Sequence, residues 1–545
     1  MRPTKIALLL FWASFVWTVF LIYGLPIGDL DEWVLIFISK KTPWKELIVN
    51  LLSPWSNSAY WFNQVDLYDQ IAHKRLMNGL VLKSAQSLFG FHFFSFYFLA
   101  KAFFFPAIVT LVFLLLRELT RSSWLALAGT AFFLFVPANY AHVLWLGDPL
   151  TIALVFVVLG VFFLSKLAEN LEKGGTAPHF FTMLAGVFAA GWLGIRAKEP
   201  ALILPLASFS YLLIQLLRAR RERFKISLSL GVMLLILFQI VPVRYLNAPV
   251  QGFTFHWSYI GRMLFRNYGI GYEDEPVTAF FSWDQVWPVS ISRTFGLLSL
   301  WALIAFALIY LIQRSRMKDP AVRFLEPPLV RISVLWVVIE IFLMGLFQPE
   351  PRYFSGTMVP LTLLSVRLIW CLTRLLERPW KQIFMAVALA CWGWTTFYLN
   401  FQHVIWLRGQ VGLRANRLFG TAQFLYSRLH PDEKPVLDQV ARFYAPSYAL
   451  DSVVRPRMEE VVYFAEHYYE TWNKTKDGNL TEFGPYAQKG VKYYITYDRE
   501  RFSNFTQVKL AGVISGTNKK DLFNRLVFAL KRKTPQALYI FEYQL

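Results

Sequence analysis

The sequence predicts a polytopic α-helical membrane protein with about 11 transmembrane helices, amphipathic helices in its first outer loop and a small C-terminal α/β domain on the outer face. Three observations predict this fold class. The 545 residues are 56% hydrophobic and 18% aromatic, long apolar runs recur through the first 400 residues, and the apolar character falls after Phe401. Because a helix needs roughly 20 apolar residues to cross ~30 Å of hydrocarbon, such repeated runs exclude an ordinary soluble enzyme.

Eleven apolar runs approach the length of a membrane span. In chain order they are Ile6–Pro26, Phe94–Leu116, Trp124–Tyr140, Pro149–Ser165, Phe180–Ile195, Pro200–Leu217, Ile226–Tyr245, Ile291–Ile312, Ile332–Phe347, Ser355–Leu372 and Gln382–Asn400. The first run follows Arg2 and Lys5 but has no small-residue cleavage site, so it predicts a retained helix and not a signal peptide.

The connections between these runs predict their orientation. With the N-terminus in the cytoplasm, the cytoplasmic connections are Arg117–Arg121, Lys166–Lys173, Arg218–Lys225, Gln313–Arg331 and Arg374–Lys381, and all of them are basic. Cytoplasmic loops of membrane proteins carry an excess of Lys and Arg. The formal net charge of +20 therefore reflects topology, and no nucleic-acid partner is predicted.

Two larger parts of the chain fall on the predicted outer face. The tryptophans of the first outer loop favour amphipathic helices that lie along the headgroup layer. After Phe401, strand patterns at Lys434–Asp438, Lys492–Thr496 and Ala537–Tyr543 lie between helical patterns at Ala415–Leu429 and Asp521–Leu530. The sequence thus predicts a transmembrane domain, residues 1–400, and an extracytoplasmic α/β domain, residues 401–545.

The first outer loop opens with three carboxylates in four residues, Asp29, Asp31 and Glu32, directly after the first apolar run. Acids are rare beside a membrane core because a charge there is expensive. A solvated loop start would also explain them. Their position at the predicted outer face makes them candidates for a functional site.

Other ionisable residues lie at predicted outer helix ends. Asp148 precedes the fourth run, Arg196, Lys198 and Glu199 fill the connection before the sixth, and Glu350 and Arg352 lie before the tenth. We expect helix packing to bring these residues around one cavity. Each also has a structural explanation: a helix N-cap for Asp148, a local ion pair of Lys198 with Glu199, an interfacial anchor for Arg352 with Tyr353, and a solvated cation for Arg75.

Taken together, these segments resemble the C-type integral-membrane glycosyltransferases, which include the protein O-mannosyltransferases and the aminoarabinose transferases of lipid A. The segments are Asp-Glu at 31–32, Asp-Pro-Leu-Thr at 148–151, Lys-Glu-Pro-Ala-Leu-Ile-Leu-Pro at 198–205 and Pro-Arg-Tyr-Phe at 351–354. The stretch 75–93 is also similar to the Arg-Pro-Leu and Leu-Phe-Gly segments of the tetratricopeptide-bearing mannosyltransferases of that superfamily. The resemblance extends over roughly residues 6–374, and the tail after Phe401 matches no family.

The resemblance implies transfer of a sugar from a polyprenyl-phosphate donor to an acceptor (a lipid, a glycan or a protein) on the outer membrane face, with inversion at the anomeric carbon. It assigns Asp31, Glu32 and Asp148 as catalytic residues, with Asp31 as the general base. Asp29 is an additional acid, so the choice of base among these three neighbouring carboxylates stays open. Arg352, Lys198 and Arg75 are the candidates for binding the donor phosphate.

The chemistry of such a transfer needs both charges. An acceptor hydroxyl is a weak nucleophile unless a carboxylate takes its proton, and the departing lipid phosphate gathers negative charge that cations stabilise. No nucleotide-binding loop occurs in the predicted cytoplasmic connections, so a lipid-linked donor and no nucleotide cofactor are expected. Clustered carboxylates leave a divalent metal open.

Two other functions fit the same pattern. A membrane transporter or lipid flippase would place its charges near the bilayer midplane and often has an internal repeat, whereas these acids lie at helix ends and no repeat is evident. A polymerase or ligase of lipid-linked glycans would share the donor and differ in the acceptor. The protein is expected in the plasma membrane, or in the endoplasmic reticulum of a eukaryote, with its active site and C-terminal domain outside the cytoplasm.

Overall fold

The fold is described from a computed structural model. It describes residues 3–25, 42–52, 76–90, 93–146, 149–218, 222–238, 323–347, 355–377 and 379–384, together with short stretches and single positions elsewhere, among them 434–437, 491–496, 508–515 and 537–543. The predicted spans Ile291–Ile312 and Gln382–Asn400 and the second half of Ile226–Tyr245 lie almost wholly outside the described residues.

The described part of the chain is mainly helical. Its α-helices, numbered in chain order, are α1 (Pro3–Ile22), α2 (Trp44–Leu52), α3 (Leu76–Phe89), α4 (Phe93–Tyr97), α5 (Phe104–Thr120), α6 (Ser123–Leu134), α7 (Pro137–Leu144), α8 (Leu150–Lys173), α9 (Ala177–Ala197), α10 (Ile203–Arg218), α11 (Arg223–Phe238), α12 (Pro328–Phe347) and α13 (Ser355–Leu375). A π-helix, Phe98–Ala102, joins α4 to α5, and a 3₁₀-helix, Glu199–Leu202, joins α9 to α10.

Six of the described helical segments are long and apolar enough to cross a membrane. They are Pro3–Ile22, Phe94–Thr120, Leu150–Lys173, Ala177–Ala197, Pro200–Leu217 and Gly356–Arg374. Each coincides with one of the predicted apolar runs. The chain is therefore an integral membrane protein; the total of about 11 spans stays a prediction.

The predicted span Trp124–Tyr140 is wrong as a single helix. The structure divides it into α6 and α7, and Val136 between them is extended, with φ −66° and ψ 122°. Pro137 begins α7, and a proline disfavours helical conformation at the residue before it and donates no backbone hydrogen bond. The apolar composition of the run concealed this interruption.

The prediction that Lys166–Lys173 forms a loop is also wrong, because α8 continues to Lys173. Ion pairs one turn apart line this last part of the helix: Lys166 Nζ lies 3.6 Å from Glu169 Oε2, and Lys173 Nζ lies 3.8 Å from the same oxygen. Gly174 then ends the helix in the left-handed conformation, with φ 66°. The basic segment is thus a helical extension of α8.

Helix α8 forms the centre of the bundle and packs against α5, α9 and α12. Close packing with α10 depends on Gly160, where an added Cβ would lie 2.2 Å from Leu204 Cδ2. Small residues let membrane helices approach in this way. Side chains at both ends of α8 therefore meet groups from several other helices.

The C-terminal part contains a four-stranded sheet of β1 (Lys434–Leu437), β2 (Val491–Thr496), β3 (Val508–Ile514) and β4 (Leu538–Tyr543) in the order β1-β2-β4-β3. β1 pairs with β2 in parallel, and the other two pairs are antiparallel. Three of these strands were predicted and are confirmed. β3 was missed because its register shifts between Leu510 and Gly512, which breaks the alternation expected of a strand.

Candidate functional site

The charged and polar groups of the bundle gather at two ends. At the first, called here the basic end, α5, α8 and α10 finish and α11 and α12 begin. At the second, called the opposite end, α1 and α9 finish and α8 and α13 begin. The predicted basic connections 117–121, 166–173, 218–225 and 313–331 all adjoin the basic end, and which end faces the cytoplasm stays a prediction.

Charges at the basic end form ion pairs between helices. Lys166 Nζ lies 3.0 Å from Glu118 Oε1, and Arg331 Nη2 lies 2.6 Å from Glu172 Oε1. The hydroxyl of Tyr211 donates to the same Glu172 oxygen over 3.2 Å. The four charged side chains keep between 21% and 35% of their surface exposed. The basic end thus holds partly solvated ion pairs, together with buried Arg367, which is 2% exposed and donates to the carbonyls of Leu119 and Arg323 over 3.1 and 2.9 Å.

Most of the predicted site residues lie outside the described residues. This applies to Asp31, Glu32, Asp148, Arg352 and Arg75, as well as to Asp29, so their mutual distances stay predictions. Their nearest described neighbours are informative instead. α3 begins directly after Arg75, α8 begins two residues after Asp148, and α13 begins three residues after Arg352. The N-cap position of α8 is Pro149, so Asp148 precedes the cap.

Lys198 is the predicted site residue that the structure describes. It is 2% exposed and follows the last residue of α9, where its extended backbone donates to the Gly194 carbonyl over 3.0 Å. Its own carbonyl accepts a hydrogen bond from the Ala201 N–H over 3.1 Å. Lys198 is therefore buried at the junction of α9 and the 3₁₀-helix, which is not the setting of a solvated loop residue.

The end of α9, the start of α8 and the start of α13 meet at the opposite end. A Cβ added to Gly194 would lie 3.3 Å from Phe156 Cβ and 3.8 Å from the Ala153 carbonyl, both in the first two turns of α8. One added to Gly356 in α13 would lie 3.6 Å from Leu154 Cδ2. The structure thus brings together the three helix ends that adjoin Lys198, Asp148 and Arg352.

Arg196, which also belongs to the predicted constellation, has a structural contact. Its Nε donates to the Leu51 carbonyl over 2.7 Å, and the Trp192 indole donates to the same oxygen over 3.1 Å. The guanidinium lies 4.1 Å from the centre of the Trp192 ring. Because the last carbonyls of a helix lack partners within it, these donors cap the C-terminal turn of α2. The two hydrogen bonds hold α2, in the first outer loop, against the end of α9.

The first-loop helices α2 and α3 confirm the prediction of helices in this loop. They pack together, and the Lys83 ammonium of α3 donates to the Ser39 carbonyl over 3.1 Å and lies 5.7 Å from the Trp44 ring centre. Partial burial lowers the pKa of Lys83. Apolar side chains such as Leu52 and Leu88 remain about 70% exposed, as expected of helices on a membrane surface.

Lys101 is a buried cation that the sequence reasoning missed. It lies in the π-helix and is 1% exposed, and its ammonium donates to the Thr151 hydroxyl over 3.4 Å. Thr151 is in the first turn of α8, three residues after Asp148. π-Helical turns occur frequently at functional sites, and an ionisable residue inside an apolar run is by default a functional candidate. Its position within the run Phe94–Leu116 was the signal that could have identified it.

Asn78 adds a second missed polar group. It lies in the first turn of α3, three residues after Arg75, and is fully buried. Neither its amide nitrogen nor its amide oxygen has a hydrogen-bond partner among the described residues. Buried polar groups are normally paired. The buried amide of Asn78 therefore adds α3, the helix that follows Arg75, to the helices that carry buried polar side chains at the opposite end.

Arg408 fixes the end of α1, which precedes the acidic stretch 29–32. Its guanidinium is 1% exposed and donates to the carbonyls of Leu21 and Tyr23, the second over 3.1 Å. It also lies 4.7 Å from the ring centre of Phe523, whose ring packs 5.2 Å from that of Phe20. A residue from beyond the last predicted span thus caps α1 and links it to the C-terminal part of the chain.

Within the described residues, no group of three or more His, Cys, Asp or Glu side chains could hold a metal ion. The predicted acids lie outside that part of the chain, so the question of a metal stays open. These observations define a class of architecture: a helical membrane bundle with a buried polar region at one end and a C-terminal sheet.

Solved structures with this architecture exist. ArnT from Cupriavidus metallidurans in the apo state aligns with a TM-score of 0.51 and 13% identity over 99% of this chain and 98% of that one. The same protein bound to undecaprenyl phosphate aligns with a TM-score of 0.48 and 13% identity over 99% and 97% of the two chains. The Archaeoglobus fulgidus oligosaccharyltransferase in the apo form gives 0.47 and 13% over 90% and 69%.

No family model and no curated protein matches the sequence. The likeness to apo ArnT therefore rests on the fold, which is shared along nearly the whole length of both chains. This chain thus shares with apo ArnT a fold that extends along both chains.

Proposed function

We propose that this protein is a membrane glycosyltransferase that moves a sugar from a polyprenyl-phosphate donor to an acceptor on the outer membrane face. The observation that supports it most is the meeting of the ends of α9, α8 and α13 around buried Lys198 and Lys101. These are the helix ends that adjoin Asp148 and Arg352 in the sequence. ArnT, whose fold this chain shares, has been solved with undecaprenyl phosphate.

The proposed reaction is a single displacement at the anomeric carbon. Asp31 accepts the proton of the acceptor hydroxyl as its oxygen attacks, and the bond to the lipid phosphate breaks, so that the sugar is transferred with inversion. A positioned general base contributes typically about 10²–10⁴-fold to the rate. Glu32 and Asp148 are proposed to orient the acceptor and the base.

Cations are proposed to stabilise the departing phosphate. Arg352 presents a planar fork that matches phosphate oxygens, and Lys198 and Arg75 supply further positive charge. Lys101 joins this group as the buried cation beside the first turn of α8. In a site that excludes water, such charges act more strongly on the transition state than they would in solution. No step of this scheme requires a metal ion.

The C-terminal part, residues 401–545, is proposed to form an extracytoplasmic domain over this end of the bundle. The contact of Phe523 with Phe20 near the end of α1 supports this placement. The domain would then border the entry of the acceptor, whose identity as a lipid, a glycan or a protein the fold leaves open.

Cells with and without the gene test the proposal. We expect loss of the gene to remove one glycan from the cell envelope or from glycoproteins, and a polyprenyl-phosphate sugar to accumulate on the outer leaflet. Mass spectrometry measures the amounts of the glycans and of the lipid-linked sugar, and treatment of intact cells with a membrane-impermeant reagent that reacts with sugars shows the leaflet in which the lipid lies. Accumulation of the same lipid on the inner leaflet would instead indicate a flippase and contradict the proposal, as would an unchanged glycan profile.

A further inference from the structure

Three buried polar groups meet where α12 packs against α13. Glu340 and Trp336 lie one helical turn apart on α12 and therefore share a face, and Thr357 lies in the first turn of α13. The Trp336 indole and the Thr357 hydroxyl face the Glu340 carboxylate. Their exposed fractions are 1% for Trp336, 0% for Thr357 and 7% for Glu340, so the whole cluster is buried.

The packing of α13 leaves room for this carboxylate. Glu340 Oε1 would lie 2.8 Å from a Cβ at Gly356, closer than real Cβ contacts allow, so any larger residue would displace it. Gly356 also lies against Leu154 of α8. Leu154 is three residues after Thr151, the contact of Lys101, or roughly 4.5 Å along the helix axis. The cluster therefore borders the same part of α8 as the buried cation of the candidate site.

The three groups face one another, but no hydrogen bond of ordinary geometry joins them. Trp336 Nε1, Glu340 Oε2 and Thr357 Oγ1 are all buried, and none has a hydrogen-bond partner among the residues that the structure describes. Leaving such groups unsatisfied in a low-dielectric interior is costly. Their arrangement is therefore that of a site which a ligand completes.

The donor and acceptor pattern selects the ligand. The indole N–H of Trp336 can only donate, the carboxylate of Glu340 accepts when ionised, and the Thr357 hydroxyl can do both. A neutral hydroxyl group donates to the carboxylate and accepts from the indole at the same time. An ammonium group can only donate, so it would leave the indole N–H unsatisfied. The cluster fits a hydroxylated neutral ligand better than an amine.

We propose that Trp336, Glu340 and Thr357 form a subsite for a hydroxyl group of the transferred sugar, and that the donor sugar is therefore a neutral, hydroxylated one at this position. The proposal rests on the proposed function, since it takes its ligand from the lipid-linked donor. These three residues would recognise the sugar of the donor and not its lipid phosphate.

Binding of two lipids to the purified full-length protein in nanodiscs tests the subsite. The probes are undecaprenyl phosphate and undecaprenyl phosphate that carries a neutral hexose. We expect the wild type to bind the hexose-bearing lipid more tightly. Glu340→Leu should weaken binding of that lipid by about 10- to 100-fold, as expected for loss of a hydrogen bond to a carboxylate. Trp336→Phe, which removes a hydrogen bond between two uncharged groups, should weaken it by about 2- to 10-fold. Neither variant should change binding of undecaprenyl phosphate.

Thermal midpoints of the same variants separate a ligand site from a structural cluster. An unsatisfied buried carboxylate destabilises the ligand-free protein, so Glu340→Leu should raise the midpoint. Glu172→Gln, which removes a charge at the basic end, is the matched control and should leave both lipid affinities unchanged. A lower midpoint in Glu340→Leu would show that the cluster stabilises the fold and would overturn the proposal.

The other outcomes are also decisive. Equal affinity of the wild type for both lipids, or a preference for the hexose that survives in the variants, would contradict the subsite. Tighter binding of a lipid whose sugar carries an amine would contradict the choice of a neutral ligand. Failure of the wild type to bind either lipid would contradict the proposed function itself, and the direction of the midpoint shift would then decide whether the cluster is a ligand site.

Discussion

The two ends of the helix bundle treat charge differently. At the basic end, Glu118 pairs with Lys166 and Glu172 with Arg331, and each of these four side chains keeps at least 21% of its surface exposed. The same end also holds one buried cation, Arg367, which is 2% exposed and donates to the carbonyls of Leu119 and Arg323. At the opposite end, Lys101, Arg196 and Lys198 are at most 2% exposed. Partly solvated pairs cost little to keep and contribute little, whereas buried charges are expensive. The opposite end thus holds several buried cations, and these lie beside the predicted site residues Asp148 and Arg352, whereas Arg367 at the basic end is satisfied by two backbone carbonyls.

Among the residues that the structure describes, the largest loss of activity is expected at Lys101. Lys101→Met removes a buried cation beside Thr151 but keeps the length of the side chain. Loss of one group that stabilises charge in a transition state typically costs about 10²–10³-fold in turnover. Lys101→Arg should retain more activity, since it keeps the charge. Sugar transfer by purified variants, matched for thermal midpoint, measures the effect.

Lys166→Met at the basic end is the matched control for that experiment. It removes a lysine from a partly exposed pair with Glu118 that lies at the other end of the bundle from the candidate site, so turnover should stay within about twofold of the wild type. Equal losses in Lys101→Met and Lys166→Met would remove the distinction between the two ends.

A smaller effect is expected at Arg408, which we predict to act as a positioning residue. Arg408→Ala removes two hydrogen bonds to the end of α1 and the contact with Phe523, so the acidic stretch that follows α1 loses its anchor. We expect kcat to fall about tenfold and the KM for the lipid donor to stay unchanged, because small misplacements of reacting groups act mainly on turnover.

The same variant should lose roughly 1.5–3 kcal/mol of stability for each hydrogen bond that involves the charged guanidinium. Arg408→Lys, which keeps the charge but loses the planar fork, should recover part of kcat. A raised KM with an unchanged kcat would show that Arg408 supports donor binding and not the position of the acids.

The smallest effect is expected from the ion pair of Glu172 with Arg331. Glu172→Gln breaks a contact of 2.6 Å between partly exposed side chains, and such a pair contributes at most about 1 kcal/mol. We expect a small fall in the thermal midpoint that shrinks at high salt, because exposed pairs are screened. A loss of several kcal/mol would show that the basic end also holds charges of high cost.

The sequence could predict those features of the fold that depend on local composition. Apolar runs and the collapse of hydropathy after Phe401 predicted six described spans and three of the four strands, since these features depend on local composition. The break at Pro137 was concealed because the residues on both sides are apolar. A proline gives a local signal, but the composition of the run outweighed it.

Lys101 and Glu340 were missed for a different reason. Each is a single charge inside a long apolar run and hardly changes the composition of that run. Its significance depends on partners from other helices, such as Thr151, fifty positions from Lys101, or Thr357, in the next helix after Glu340. The periodicity of one segment does not reveal which residues of other helices pack against it. The distances among Asp31, Asp148 and Arg352 depend on such packing as well and remain predictions.

Transfer of a labelled sugar from polyprenyl phosphate by purified Asp31→Asn protein tests whether a first-loop carboxylate is the general base of a glycosyltransferase. The substitution keeps the shape of the side chain but removes the basic oxygen, so turnover should fall about 10²–10⁴-fold at an unchanged thermal midpoint. Asp29→Asn is the control and should retain most activity, while Asp148→Asn should fall between the two. Near-normal turnover by Asp31→Asn, with Asp29→Asn or Glu32→Gln inactive, would assign the base to a neighbouring acid. Near-normal turnover by all three of these first-loop variants would contradict the account.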